Sequence, residues 1–400
     1  GPGTVEILAG RNLDLGIGAS NPDGTATGIT TIGNRRNPHL PFDGASITIG
    51  AGIGRSFDLD NSNLDFEGFI TDIIGGDAGA RYLDELSAMR DGNSAATEKF
   101  TPEDFAALPE SEKNRMALDL FYLVLRDAGR DHNIDGSNYE AGFDAINALF
   151  ANRKWHGDID ARGRDIRTKN GGDIAIFAPG GELKLSNVVI GNPLVPPGII
   201  TETGGDISIF TDADVSLGIG RIFTLRGGNE IIWSSTGDIA AGSAAKTIAS
   251  APPTRVLLDP QSADVETDLA GLSTGGGIGV LATVEGVPPG DVDLVAPAGI
   301  VDAGDASIRA SGNVTIAAVT VLNADNIAAA SVSGAPPAPA PPPAPNIAGL
   351  TSASNVAGAT NSAAESIANQ ARQQAAPEET PSVITVEVVG YGGGDGEDGG

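Results

Sequence analysis

A short unit recurs along the chain: a glycine, an aspartate or asparagine, and then two apolar residues separated by one position. Period-two spacing sends both apolar side chains to the same face of a strand. Glycine adopts positive φ freely and Asp or Asn can bond its own backbone, so the leading pair is typical of a tight corner. Copies occupy residues 172–176, 205–209, 290–294 and 312–316, a copy with one inserted residue occupies 10–15, and weaker copies begin at Gly157, Gly237 and Gly304.

One strand of this length buries too little apolar surface to be stable alone, whereas stacked copies bury a continuous column of Ile, Val and Leu. The repeat therefore predicts a mainly β fold, a β-solenoid built of stacked coils. A narrow aliphatic interior also explains why aromatic residues make up only 4% of the chain. The rival interpretation is an ordinary β-sandwich, which has short alternating strands as well.

Charge and cysteine content exclude several classes of function. The chain has 24 Lys and Arg against 52 Asp and Glu, a formal net charge of −28. Binding to nucleic acid or to an anionic membrane surface needs the opposite balance. The absence of cysteine excludes disulfides, thiolate metal sites and a cysteine nucleophile. We expect a protein that binds no nucleic acid.

A helical pattern interrupts the strands over residues 76–156, where glycine is scarcer. The spacing of apolar residues predicts a helix over 80–90 and another over 111–128, ended by Gly129. Thr101 is followed by a proline and two acidic residues, which is typical of a helix start. These helices are expected to pack on one another or against the flank of the coils.

Beyond the coils the composition changes again. Residues 335–345 consist of alanine and proline alone and predict a stiff polyproline spacer. A strongly alternating β-prone segment follows near the end, and a lone exposed strand of this kind would aggregate. We therefore expect it to dock on an open sheet edge, in this chain or in another. The strand-docking candidates are Val383, Ile384, Thr385, Val386, Glu387, Val388 and Val389.

These features predict a division of the chain into six segments. The coils are interrupted once by helices and are followed by a linker, a strand and a disordered acidic tail. The predicted bounds are coils over 1–75, a helical insertion over 76–156, coils over 157–333, a Pro/Ala-rich linker over 334–381, a terminal β-strand over 382–390 and the tail over 391–400.

One candidate metal site lies in the helical insertion. Residues 131–136 have the spacing of positions one, three, five and six of a calcium-binding EF-hand loop, but the bidentate Glu of position twelve is replaced by Gly142. The same residues also fit a polar turn before a helix that Ser137 caps together with Glu140. Both interpretations stay open. Calcium is the one cofactor considered, and its candidate ligands are Asp131, Asn133 and Asp135.

Other chemistry finds little support in the sequence. Outward carboxylates such as Asp160 and Asp293 could form a carbohydrate-cleaving pair, although acidic residues on so acidic a chain are also expected as a solvated face. The glycine-rich residues 273–279 lack the Lys-Ser/Thr of a phosphate loop and fit a coil corner. Three histidines, far apart in sequence and without partners at metal-binding spacing, are His39, His132 and His156.

With the repeats established, the chain resembles the carboxyl-terminal region of filamentous haemagglutinin family outer-membrane exoproteins, which are exported by two-partner secretion in Gram-negative bacteria. The stretches that carry the resemblance are residues 290–306, 322–327, 121–130 and 385–390, and the order of coils, helices, coils, linker and strand matches as well. Together these stretches span most of the chain. The resemblance supplies no catalytic residues.

The resemblance implies a right-handed parallel β-helix, export through a partner outer-membrane transporter, and a role at the bacterial surface. We therefore expect a non-enzymatic part of a secreted adhesin or surface fibre, associated with the outer membrane. Its target, a host surface, a cell surface or a polysaccharide, is not indicated. The alternatives are a polysaccharide-acting β-helix enzyme and an assembly or anchoring module that self-associates by adding its terminal strand to another sheet.

Overall fold

The computed structural model describes residues 2–16, 28–33, 39, 41–54, 62–75, 81, 82, 85, 87, 101–151, 154–186, 196–243, 255–258, 265–268, 275–282 and 286–336. The chain divides into two units, Gly1–Ala338 and Pro339–Gly400, and every described residue belongs to the first. The boundary falls inside the proline-rich segment. The predicted spacer beyond residue 336, the terminal strand and the acidic tail lie outside the described residues.

The described residues are mainly β, and their strands pair in parallel apart from one hairpin, β15–β16. The strands are short and follow one another around a coil. They are β1 Thr4–Leu8, β2 Leu13–Asp14, β3 Ile29–Thr31, β4 Ser46–Gly50, β5 Ile159–Asp160, β6 Ile166–Thr168, β7 Ile174–Ala178, β8 Leu183–Lys184, β9 Gly198–Thr201, β10 Ile207–Thr211, β11 Val215–Ser216, β12 Arg221–Thr224, β13 Glu230–Ser234, β14 Ile239–Ala240, β15 Arg255–Leu258, β16 Val265–Asp268, β17 Gly277–Val280, β18 Val292–Asp302, β19 Ile308–Ala310, β20 Asn313–Leu322, β21 Ile327–Ala328 and β22 Ser331–Ser333.

Pairing between coils produces three faces. The first face runs β1-β4-β7-β10-β13-β18-β20-β22, and the third runs β3-β6-β9-β12-β17-β19-β21. The second face runs β2-β5-β8-β11-β14 and joins the first through β18, whose pairing with β20 shifts register between Ala296 and Ile300. Up to β14 every third strand is thus a neighbour in space, which is consistent with the predicted parallel β-helix and not with an antiparallel sandwich.

Alternation along each strand places the core inside the coils. Ile174 and Ile176 of β7 point inward and are fully buried, and they stack on Ile207 and Ile209 of β10 in register. Repeated from coil to coil, this stacking forms one aliphatic core of Ile, Val, Leu and Ala. The core needs no aromatic side chain, as the composition of the chain suggested.

The glycine–aspartate pairs of the sequence repeat form a ladder along the corner before the first face. The carboxylate of Asp173 accepts the backbone N–H of Asp206 at 2.9 Å, and that of Asp206 accepts the N–H of Asn229 at 2.7 Å. The Asn229 side chain in turn accepts the N–H of Asp291 at 3.1 Å. Each side chain thereby satisfies a backbone donor of the next coil, which explains why an Asx residue recurs there.

The helices of the described residues are α1 Phe66–Gly75, α2 Pro102–Ala107, α3 Glu110–Asp135 and α4 Glu140–Leu149. They emerge between β4 and β5. The predicted start at Thr101 is confirmed, because its side chain accepts the N–H of Asp104 and the Asp104 side chain accepts the N–H of Thr101. In the predicted helix over 80–90, the described residues 81, 82, 85 and 87 are helical.

Two sequence-based predictions about the helices are wrong. Gly129 does not end its helix, because it is the point where α3 contacts the sheet: a Cβ there would lie 2.4 Å from Cγ2 of Val295. The helix ends instead at Gly136, which has a left-handed φ of 72°. Ser137 does not cap α4, which begins at Glu140 with no side-chain cap.

The helix α1 lies within residues 1–75, which the sequence predicted to be coils. Its residues include several β-branched side chains and Gly68, which disfavour a helix. Phe69 and Ile70 are buried in the apolar cluster that α3 and α4 also enter, so tertiary packing decides the conformation.

Candidate functional site

In the described part of the chain, helices cover the outward side of the first face. Phe177, Phe210 and Trp233 lie at successive outward positions of β7, β10 and β13 and are at most 1% exposed. Phe121 of α3 contacts the ring of Phe210 edge-on at 5.5 Å between centroids. Aromatic residues, absent from the interior, thus form a second core between the helices and the sheet.

Polar contacts of Tyr122 and Arg130 fix α3 on this surface at two points. The hydroxyl of Tyr122 donates to the carbonyl of Ile176 at 2.7 Å. The guanidinium of Arg130 binds both carboxylate oxygens of Asp293, each at 2.7 Å. Burial raises the pKa of Asp293, and the charge and hydrogen bonds of Arg130 oppose that rise. The pair is a bidentate clamp on a carboxylate that is 1% exposed.

A cleft of about 270 Å³ lies beside this clamp, between α3 and the Asx ladder. Asp119 lines it from the helix, opposite Asp173 and Asp206 of the ladder. Burial, together with the charges of Asp173 and Asp206, raises the pKa of Asp119 to about 7, while the charge of Arg115 opposes the rise. The cationic side chain of Arg126 also lines the cleft. Like charges therefore face each other where the helix meets the corner of the coils.

Replacing Asp119 by asparagine is expected to stabilise the protein by about 1 kcal/mol above pH 7. An acid whose folded pKa is raised costs no stability below its unfolded pKa of about 3.9, and the cost grows until the pH passes the folded pKa. The gain should therefore be much smaller at pH 4 than at pH 8, as measured by denaturant unfolding at pH 4, 6 and 8. Asp144→Asn, at an exposed position of α4, is the control; equal gains at pH 4 and pH 8 would contradict the interpretation.

The residues predicted to bind calcium lie in the last turns of α3, so the EF-hand loop that motivated the prediction is not formed. Asp131 accepts a hydrogen bond from Arg81 at 2.6 Å, and the amide of Asn133 donates to the carbonyl of Ile316 at 2.8 Å. Asp135 accepts the N–H of Ser137 at 2.8 Å. Calcium binding by these residues stays a prediction, now without its loop geometry.

The two outward carboxylates considered as a catalytic pair lie on different faces. Asp160 belongs to β5 of the second face and pairs with Arg162 at 3.2 Å. Asp293 belongs to the first face, beneath α3. In the described residues, no group of three or more His, Asp or Glu side chains could hold a metal ion. His132 stacks on Tyr139 with 4.3 Å between ring centroids.

Two further predictions concern backbone segments. The described part of the glycine-rich stretch 273–279 leads into β17, so these residues belong to a coil. The strand-docking candidates Val383 to Val389 lie outside the described residues. None of the helices in the described part of the chain has both the length and the hydropathy needed to span a membrane.

Sequence reasoning expected the helices to pack on one another or against the flank of the coils, but it did not identify which surface they cover, although a signal for it was present. An aromatic residue directly follows the second apolar residue of the repeat at Phe177 and Phe210. An outward aromatic at one repeat position in successive coils indicates a surface that another element covers. Arg130 and Asp119, in contrast, carry no local pattern that would relate them to residues in distant coils.

The fold and this surface define a class: a stack of parallel β coils with a helical cover on one face. A family model described as "Filamentous haemagglutinin family outer membrane protein" matches residues 227–337, which span the chain from just before β13 to just after β22. The resemblance seen in the sequence is confirmed over that segment. Searches of curated proteins and of solved structures found no match.

Proposed function

We propose that the chain is a non-enzymatic, carboxyl-terminal part of a secreted bacterial β-helical adhesin or surface fibre. The observation that carries the proposal is the continuous parallel pairing of the coils, whose last part is the segment that matches the family of outer membrane proteins. Backbone ladders of this kind satisfy their own hydrogen bonds along the whole stack. Such a stack acts mechanically, as a stiff support that displays its covered face and its corners.

The proposal includes the properties that the family resemblance implies. The β-helix would be right-handed, and the parent protein would cross the outer membrane through a two-partner secretion transporter. The mature protein would act in adhesion or attachment at the cell surface. The strongly acidic surface supports partners other than nucleic acid.

The positions and partners of Asp160 and Asp293 support this function better than they support catalysis. Retaining and inverting glycosidases need two carboxyl groups within about 10 Å across a substrate groove. Asp293 is held by Arg130 under a helix, and Asp160 lies on another face beside Arg162. Both residues therefore have structural partners.

Adhesion can be tested with the purified chain coupled to beads. We expect the beads to be retained under flow on epithelial cells, on bacterial cells or on an immobilised polysaccharide panel. Beads that carry an unrelated globular protein of similar negative charge are the control for charge, and they should wash off. Soluble chain added in excess should release the bound beads.

The same polysaccharides, incubated with the chain, separate adhesion from catalysis. We expect no release of reducing ends. Release that is lost in Asp160→Asn or Asp293→Asn would establish the enzymatic alternative. Retention no greater than that of the control beads on every surface would contradict a role in adhesion.

A further inference from the structure

An open groove lies between the start of α4 and the middle of β18, and it shares no lining residue with the acidic cleft beside Asp119. Its volume is about 540 Å³, which is within the range of small-molecule sites. The helical cover and the sheet contribute one wall each. The residues that line the groove are Asn138, Tyr139, Glu140, Phe143, Pro297 and Ala298.

The helical wall consists of two aromatic rings that other rings hold in place. The rings of Tyr139 and Phe143 meet the ring of Trp233 edge-on, at 6.0 and 5.6 Å between centroids. Trp233 is fully buried, whereas Tyr139 and Phe143 are partly exposed. The helix lies so close to Trp233 that a Cβ at Gly142 would come within 2.5 Å of its ring. Because this packing already orders both rings, binding a ligand would cost little in side-chain ordering.

The opposite wall is a rigid, apolar part of β18. Pro297 and Ala298 lie in the stretch where the pairing of β18 with β20 shifts register, and Ala298 is exposed. The ring of a proline fixes φ. The backbone here also packs tightly on the neighbouring coil, since a Cβ at Gly299 would lie 1.9 Å from the carbonyl oxygen of Gly237. The groove therefore presents fixed apolar surface from both sides.

Polar groups lie at the rim of the groove. Asn138 and Glu140 are exposed and offer an amide and a carboxylate. Burial raises the pKa of the Tyr139 hydroxyl, and no hydrogen bond within the described part of the chain opposes this rise, so the hydroxyl is a neutral donor and acceptor. Among the described residues that line the groove, Glu140 alone is charged. A matching ligand has an apolar face, several hydroxyl groups and no negative charge.

A neutral sugar residue combines these properties. The C–H groups on one face of a pyranose ring can pack against aromatic rings, and its hydroxyl groups can donate to a carboxylate and accept from an amide. An anionic sugar would be repelled by Glu140 and by the net charge of −28. A proline-rich peptide, another ligand of aromatic grooves, has few N–H groups to donate to Glu140.

We propose that this groove binds one residue of a neutral glycan, whose ring packs against Phe143 and Pro297 and whose hydroxyl groups bond to Asn138 and Glu140. Since it names the target of adhesion, this site rests on the proposed function, although its affinity for sugars can be measured apart from adhesion.

The site is tested by isothermal titration calorimetry with neutral tetrasaccharides of glucose, galactose and N-acetylglucosamine, and with tetragalacturonate as the anionic probe. We expect at least one neutral probe to bind. Asn138→Ala combined with Glu140→Gln should weaken that binding about tenfold through the lost hydrogen bonds. Ala298→Trp should abolish it by filling the groove from the opposite wall. These three positions are exposed, so the denaturant unfolding curves of the variants should match that of the parent.

Asp144→Asn is the matched control, because it removes one negative charge from α4 outside the groove and should leave the affinity unchanged. The proposed site would be overturned if no neutral probe binds, if the groove variants bind as well as the parent, or if tetragalacturonate or decaproline binds more tightly than every neutral probe.

Retention of beads on the surfaces described above is scored separately from sugar binding. Equal retention of the parent and of the groove variants would reject the groove and leave adhesion standing. Sugar binding that the groove variants lose, while beads carrying the parent wash off every surface, would support the groove and contradict adhesion.

Discussion

Gly205→Ala is expected to lower the free energy of unfolding by about 3 kcal/mol or more. Gly205 occupies the corner before β10 with a φ of +96°, and a Cβ there would lie 2.3 Å from the carbonyl oxygen of Gly172 in the coil below. That oxygen belongs to the backbone, so the clash cannot be relieved by a side-chain rotation. The coils would have to separate at a corner where the Asx ladder holds them together.

The neighbouring Gly204 provides a control that isolates the contact between coils. It too has a positive φ, of +70°, but a Cβ there would have nothing within 4 Å. Gly204→Ala therefore carries the conformational cost alone, about 1 kcal/mol. Chemical unfolding followed by circular dichroism compares the two variants. Equal losses of stability would mean that the backbone conformation, and not the approach of the coils, explains the recurring glycine.

The repeat was predictable from the sequence wherever it keeps its full pattern. The units at 172–176 and 205–209 became β7 and β10, as their glycine, aspartate and alternating isoleucines indicate. Two coils depart from the pattern: Ala45 and Ser46 stand where the repeat has glycine and an Asx residue, and Glu230 occupies the first apolar position of β13. The stack tolerates such exceptions, since the strands of the neighbouring coils fix the register of the strand between them.

The helices and the covered surface were less accessible to sequence reasoning. Gly129 is typical of a helix end in its local sequence, yet α3 continues to Asp135, and Gly129 is the point where the helix approaches Val295 of the sheet. The clamp between Arg130 and Asp293 joins residues 163 positions apart. Contacts of this kind depend on which coil lies beneath which turn of the helix, and the irregular repeat length hides that relation.

Glu230 is the residue whose substitution should stabilise the protein most. In-register pairing places it inside the coils between Ile207 and Val292, where it is 1% exposed. One carboxylate oxygen accepts the N–H of Thr224 at 3.1 Å, and the other has no hydrogen-bond partner in the described part of the chain. Burial raises the pKa of Glu230 well above its usual value, and the hydrogen bond from Thr224 opposes this only in part.

Glu230→Gln removes the ionisation and keeps a carbonyl oxygen as acceptor for Thr224. A raised folded pKa means that the parent protein loses stability as the pH rises above the unfolded pKa of about 4.3, and the loss continues until the folded pKa is passed. The variant should therefore gain about 2 kcal/mol over the parent at pH 8, the cost of a buried group that lacks a partner.

At pH 4 the same comparison should show little gain, because the parent carboxyl is then neutral in the folded state and mostly neutral in the unfolded state. The amide of the variant can even cost a little there, since its N–H groups also lack partners inside the coils. Glu112→Gln, at an exposed position of α3, controls for the loss of one negative charge from an acidic chain. A gain independent of pH would mean that Glu230 contributes through its volume, and a uniform loss would mean that its carboxylate is needed within the column.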